Sequence, residues 1–382
     1  MQYQKLSLIL SLCMCLPILS CTLKAPDEKG SYCPDAKPLL PRKFRATMSE
    51  DAEYAYMAAR QAFEQAGIDD EFLRQNEVGC IWGNDGNPYF AESGKIMNEE
   101  HDSSMVEPQA QFKGETSTVS MNLATIFHLK GIGLSIGAAC ASSSHAIGIG
   151  KMLIQYGMQD MVMVGGACGV SKVSHAISDM FNFGFLYPIE KFSPFGEEGL
   201  GLIESGGAAV LLLEDYEHAV MRGVPILAEI VGYGYSSLCN ITTYHPSANG
   251  IVQIVKNALK DAKITISEID YINPCATGAK IDDDECIIAL NQIVEGRSDI
   301  YISSTESITG HENWMLGASK SIYNILMMQN DFVAPNINLT NIEEEARSLN
   351  IIKETMCTQI GTSLVITAGL GGSGSAIIFR KI

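Results

Sequence analysis

The sequence predicts an α/β protein built from two similar halves, each a mainly parallel sheet buried beneath helices. Three observations carry that expectation. Short apolar runs alternate with segments of helical spacing along most of the chain, as strands joined by crossover helices do. Several of the runs, such as Ala208 to Leu213, are apolar without alternation, which suits strands covered on both faces. A glycine pair also precedes a closing apolar strand twice, Gly206-Gly207 before Ala208 and Gly371-Gly372 before Ala376, giving a repeat of about 170 residues.

The chain of 382 residues divides into an opening segment, 1–36, and two halves, 37–222 and 223–382. In the opening segment Met1 to Lys5 runs into apolar residues from Leu6 to Leu19 and then Ser20-Cys21. This is a signal-like pattern with a lipoprotein-type cysteine, too short to span a bilayer. A divergent opening on a cytoplasmic protein is the other reading of the same residues.

In the first half, basic residues Lys37, Arg42, Lys43 and Arg45 precede a helix from Ala52 to Gln65 that Gly67 stops. A strand over Glu77 to Trp82 ends in the loop Gly83-Asn-Asp-Gly86, and a helix follows over Met121 to Leu129. Leu134 to Ile136 makes a short strand, and Asp160 to Gly166 and Ala208 to Leu213 make buried ones. The second half alternates again: strand Ile226 to Val231, helix Ile251 to Leu259, strand Ile269 to Ile272, helix Asp283 to Gln292. Strand Ile300 to Ser303, helix Gly317 to Met328 and strand Ala376 to Phe379 complete it.

The first half turns on Gly131 to Gly148. Its strand passes through Gly137 into small residues, and the spacing of Ala146, Ile149 and Leu153 then predicts a helix to about Tyr156. Cys140 falls where strand becomes helix. Unpaired backbone N–H groups and the dipole at a helix start favour an anion, which suits a thiolate nucleophile. Gly137, Ala138, Ala139 and Ala141 leave room for a substrate beside it. A buried, inert thiol fits the local residues equally well. His145, five residues on, lies about 140° around the helix from Cys140 and is expected to pack or face a dimer partner.

Composition narrows the classes. A net charge of −18 argues against nucleic acid as a partner. Eleven cysteines without a regular framework point to free thiols. Cys13, Cys15, Cys21 and Cys33 have no histidine nearby, so no zinc site is expected.

The segment Ala138-Ala-Cys140-Ala-Ser-Ser-Ser-His-Ala-Ile-Gly148 resembles the nucleophile motif of the β-ketoacyl-(acyl carrier protein) synthases, condensing enzymes of the thiolase superfamily. The resemblance continues in register from Lys37 to the C-terminus. Ser193-Pro-Phe-Gly through Glu204-Ser-Gly-Gly207 resembles the family's glycine-rich loop, Tyr301 to His311 its segment bearing the second histidine, and Thr367 to Ser375 its closing loop. It implies a duplicated thiolase-like fold, five-layered α-β-α-β-α, with the site at the seam between halves. It also implies an acyl group taken as a thioester on Cys140, backbone donors for the oxyanion, and histidines that help decarboxylate malonyl and hold the enolate.

Set against that pattern, Cys275 stands where the first histidine belongs, and a thiol cannot act as an imidazole at neutral pH. His311 matches the second histidine. Glu306 replaces a usual lysine, the spacer from His311 to Gly317 is a few residues longer, and Tyr323 falls where a glutamate is common, with Lys320 close by. Glu306 and Lys320 are expected to carry rearranged polar duties, and a carboxylate near His311 would favour its protonated form. Leu370 aligns with the gating residue whose amide shares the oxyanion hole. Thr277, Thr309 and Gly371 correspond to substrate-binding positions. Phe181, Phe183 and Phe185 resemble the acyl-pocket and dimer-contact region, or plain core. Lys37, Arg42, Lys43 and Arg45 resemble the docking surface for an acidic carrier protein, or a solvated charge run.

The resemblance thus implies a homodimeric or heterodimeric β-ketoacyl synthase-like enzyme. It would extend an acyl chain with a malonyl-derived two-carbon unit in fatty-acid or polyketide-type synthesis. No metal or organic cofactor is implied, because acyl carrier protein brings both substrates on pantetheine arms, and the cytoplasm is then the favoured compartment over anchoring through Cys21. The alternatives, prompted by Cys275, are an acyltransferase or priming subunit that does not decarboxylate malonyl and a non-catalytic chain-length partner.

Overall fold

The computed structural model describes residues 12–15, 40–86, 109–169, 192–197 and 201–382. Lys37, Cys21, Cys33 and the phenylalanines at 181, 183 and 185 lie outside them.

Two five-stranded sheets organise the chain. The first contains β1 (Leu12–Cys15), β2 (Gly79–Gly83), β3 (Gly133–Ile136), β4 (Met161–Cys168) and β5 (Gly207–Glu214), in the order β1-β5-β4-β2-β3. The second contains β6 (Glu229–Ser236), β7 (Tyr271–Asn273), β8 (Tyr301–Ile302), β11 (Thr362–Ala368) and β12 (Gly374–Arg380), in the order β6-β12-β11-β7-β8. Between β8 and β11 in the chain, β9 (Phe332–Val333) and β10 (Met356–Cys357) make a separate two-stranded sheet. Within each large sheet the chain order of strands is first, fifth, fourth, second, third, with antiparallel pairing at the first two joins and parallel pairing at the others. The duplication is therefore topological as well as sequential.

Strand β5 shows why the sheets are apolar throughout. Leu211 and Leu213 enter the central core with Ala146, Ile147, Ile322 and Val365, whereas Val210 and Leu212 enter an outer core with Ala55, Phe63 and Leu123. Successive side chains point to opposite faces, so a strand buried on both sides needs every residue apolar.

Helices α1 (Glu50–Gln65) and α2 (Thr118–Phe127) cover the outer face of the first sheet, and α4 (Ala248–Ala262) and α5 (Lys280–Val294) that of the second. Between the sheets lie α3 (Ser142–Gln155), which follows Cys140 in the chain, and α6 (Leu316–Asn330). The result is the five-layered α-β-α-β-α arrangement. Ser49 caps α1 by accepting from the Ala52 amide, and acidic Glu50, Asp51 and Glu53 fill its first turn, where the dipole favours them.

The central helices cross closely through small residues. Ser143 Oγ accepts from the Ala318 amide at 3.0 Å. A methyl on Gly317 would sit 2.4 Å from the Ser144 nitrogen, which is helix backbone and cannot yield. Gly317→Ala is thus expected to destabilise the protein by about 1–3 kcal/mol, outweighing the roughly 1 kcal/mol that alanine gains in helix propensity. Urea denaturation would measure it.

Several sequence expectations shift. The apolar leader-like run contributes β1, antiparallel to β5 with Leu12 opposite Leu211, and an apolar run alone does not distinguish the two uses. The strand placed at Ile226 to Val231 runs instead from Glu229 to Ser236, because its pairing with β12 carries it through Gly232 and Gly234. Strand β11 and the pair β9–β10 were not foreseen. Among the described residues no helix is long and apolar enough to cross a membrane.

Candidate active site

The turn into α3 sets the position of Cys140. Ala139 takes the left-handed conformation, φ 47°, which a residue with a side chain adopts only where neighbours hold it. Asp85 does so, its Oδ2 accepting from the Ala139 amide at 2.6 Å. Ser142 Oγ accepts from the Ala138 amide at 2.8 Å and donates to the Ala139 carbonyl at 2.6 Å, closing the turn from below. Cys140 is left half-buried at the start of the central helix.

His311 comes from the other half. Its backbone is paired with the first half, the His311 amide donating to the Ile203 carbonyl at 2.6 Å and its carbonyl accepting from Ser205 at 2.9 Å. Gly310 permits this approach, since its φ is +77° and a methyl there would lie 2.8 Å from the Ile203 oxygen. The imidazole Nε2 then stands 3.0 Å from Cys140 Sγ across the seam.

Behind His311 is a fully buried charge network. His311 Nδ1 lies 2.6 Å from Glu306 Oε2, and Lys320 Nζ donates to Glu306 Oε1 at 2.5 Å and to the Pro274 carbonyl at 2.5 Å. Burial alone would lower the His311 pKa, but the charges of Cys140 and Glu306 outweigh it and hold the imidazole well above the usual histidine value. For Glu306 burial works upward, and Lys320 followed by His311 overcome it, so the carboxyl is lowered. An imidazolium fixed beside sulfur is the pairing that stabilises a thiolate. The duties expected of Glu306 and Lys320 are thus joined in one ion pair. Tyr323 instead donates to Glu312 Oε1 at 2.9 Å.

The remaining candidates sit as follows. Cys275 is buried next to Pro274, packed in the outer core with Cys286 of α5. Gly369 packs on the nucleophile turn, a methyl there falling 2.7 Å from the Cys140 nitrogen. Leu370 begins the 3-10 turn Leu370–Gly372, and Cys140 lies in the turn Ala139–Ala141. Backbone N–H groups at such starts lack intrahelical acceptors. Gly371, φ +76°, donates to the Tyr244 carbonyl at 2.7 Å. Thr277 and Thr309 are buried with their hydroxyls turned to the protein, Thr277 donating to Asp282 Oδ2 at 3.3 Å and Thr309 to the Gly310 carbonyl at 3.1 Å. His145 packs as expected: Nδ1 meets the Tyr233 hydroxyl at 2.6 Å, Nε2 meets Ser373 Oγ at 3.3 Å, and burial lowers its pKa to about 4. Arg42 and Lys43 are exposed, whereas Arg45 bends back to the Leu40 carbonyl.

Two residues escaped the sequence reading. Glu312 is fully buried, accepts from Ser319 and Tyr323, and burial pushes its carboxyl up to about 7. Its place directly after His311 was the available signal. Asp85 gave none, because 54 residues separate it from the amide it holds.

A cysteine and a histidine brought together from two like halves, at the start of a buried helix, are the constellation that the resemblance to thiolase-like condensing enzymes implies. The chain belongs to the β-ketoacyl synthase family: residues 25–219 match its N-terminal domain and 227–340 its C-terminal domain. It is 33% identical over 359 residues to 3-oxoacyl-[acyl-carrier-protein] synthase 1 of Escherichia coli K12, covering 91% of this chain and 86% of that one. A β-ketoacyl synthase from Burkholderia phymatum superposes with a TM-score of 0.86 at 29% identity, covering 93% of this chain and 87% of the other. A ketosynthase in complex with a type II polyketide acyl-carrier protein shares the fold, with a TM-score of 0.79 at 22% identity over 88% of this chain and 86% of that one.

Proposed function

We propose that this protein is a condensing enzyme of the 3-oxoacyl-(acyl carrier protein) synthase type. An acyl group passes from a carrier pantetheine to Cys140, and a malonyl-derived two-carbon unit then extends it. The observation that carries the reading is the 3.0 Å approach of Cys140 Sγ and His311 Nε2 across the seam. In the first step the thiolate attacks the acyl carbonyl, the amides of Cys140 and Leu370 receive the developing oxyanion, and His311 gives its proton to the departing pantetheine thiol. In the second step His311 steadies the enolate. Cys275 supplies no imidazole for decarboxylation, so His311 carries that task without a partner histidine. Gly371, Thr277 and Thr309 bound the path of the pantetheine arm.

The partners proposed are an acyl carrier protein and a second synthase subunit, identical or not, and the compartment is the cytoplasm. No cofactor beyond the carrier's pantetheine is invoked. The test is mass spectrometry of the intact protein after incubation with acyl carrier thioesters. A mass increase equal to the acyl group is expected, and Cys140→Ala should abolish it. Release of carbon dioxide from malonyl carrier protein tests the second step, and an acylated enzyme that never releases it would reduce the activity to acyl transfer.

A further inference from the structure

The network behind His311 has a chemistry that the carbon–carbon bond-forming step does not need. In a condensation the attacking group is a carbanion made by loss of carbon dioxide, and it brings no proton to remove. Here Nδ1 of the histidine is held 2.6 Å from a buried carboxylate while Nε2 faces the sulfur at 3.0 Å. Nucleophile, imidazole and carboxylate in line are the arrangement that takes a proton from an acceptor and stabilises the cation formed. Lys320, with no exposed surface, neutralises the far oxygen of the same carboxylate and keeps it ionised in the core.

We propose that Cys140, His311 and Glu306 act as a relay that discharges the acyl group from Cys140 to water, with Glu306 as the positioning residue. The inference rests on the reading that Cys140 becomes acylated, and it concerns the fate of that acyl group. Water gives a proton to His311 Nε2 as its oxygen bonds to the acyl carbon. The carbonyl electrons move to oxygen and return as the carbon–sulfur bond of Cys140 breaks. Sγ leaves as thiolate beside the imidazolium, and the product is the free acid. The Glu306 carboxylate holds the Nδ1–H tautomer throughout and balances the imidazolium charge. Cys275, a thiol in place of an imidazole, leaves His311 as the base beside the sulfur.

The experiment uses the full chain acylated with an acyl-pantetheine thioester, followed by intact mass in two arms, buffer alone and buffer with free pantetheine. Decay of the acyl adduct with formation of free acid is expected in buffer alone, whereas exchange in the pantetheine arm is the reverse of acylation and shows only that the adduct is a thioester. The double variant E306K/K320E keeps a buried ion pair but puts the ammonium against His311. It is expected to acylate and then release about a hundredfold more slowly, with the acidic limb of the release pH profile displaced to lower pH, which loss of packing alone would not produce. An adduct that forms and persists in buffer alone overturns the proposal, whether or not the variant folds. So does release from the folded double variant at the wild-type rate with an unmoved profile. Failure of the wild type to form any adduct sinks the acylation reading and this inference together, and that result is distinct from the other two.

Discussion

Lys320→Met is expected to lower the unfolding free energy by about 3–5 kcal/mol. The ammonium has no exposed surface and donates at 2.5 Å to both Glu306 and the Pro274 carbonyl. Two opposite charges that close offset much of what it costs to remove each from water. Removing one leaves Glu306 buried with His311 as its remaining partner and the Pro274 carbonyl without its donor, so the desolvation of the carboxylate stands largely uncompensated. Neutralising both, as E306Q/K320M, is expected to recover a large part of the loss, because two neutral side chains of similar volume avoid that cost. Urea denaturation at constant slope would compare the variants. A single substitution costing under about 1 kcal/mol would show that the pair contributes little to the fold.

His311→Ala is expected to slow acylation of Cys140 by about a hundred to ten-thousandfold, the range for loss of a positioned acid–base group. The Glu306–Lys320 pair is intact in this variant, so the fold should persist. Its stability should nevertheless depend on pH differently from the wild type. His311 is raised well above 6.5, burial being outweighed by Cys140 and Glu306, so its contribution is fully present below 6.5 and is lost as pH rises through the higher folded value. Glu306 is lowered from 4.5, Lys320 and His311 overcoming its burial, so its contribution is present above 4.5 and is lost as pH falls through the folded value. The advantage of wild type over His311→Ala should therefore be widest between 4.5 and 6.5 and narrow at higher pH. Denaturation midpoints across that range would measure it, and an advantage that grows above pH 7 would contradict the assigned charges.

Much of the fold could be read from the residues because its strands are apolar on both faces and its helices keep one apolar face. Those periods survive in β4, β5, α1 and α4, whose sequence limits and structural limits differ by a few residues. They fail in β6, where Gly232 and Gly234 interrupt the apolar run to admit the backbone of α4. In β11 the run Thr362 to Ala368 mixes Ser and Thr with aliphatic residues, and the strand is defined by its neighbours β7 and β12.

The site divides in the same way. Cys140 and His311 were legible as motifs, the first just after a strand and the second just after a glycine. The partnership of Glu306 and Lys320 was expected only in outline, since the two lie 14 positions apart on different helices.

Residue order thus determined by itself the two-half α/β architecture and the place of Cys140 where a strand gives way to a helix, because both are written in local composition and period. Tertiary structure alone decided that sulfur and imidazole stand 3.0 Å apart, that Asp85 holds the turn at Ala139, and that a lysine and a glutamate share one buried bond behind the imidazole. Those facts depend on which distant segments pack together. A charge removed from water takes its partner from whatever lies within hydrogen-bond reach in space, and chain separation carries no record of that distance.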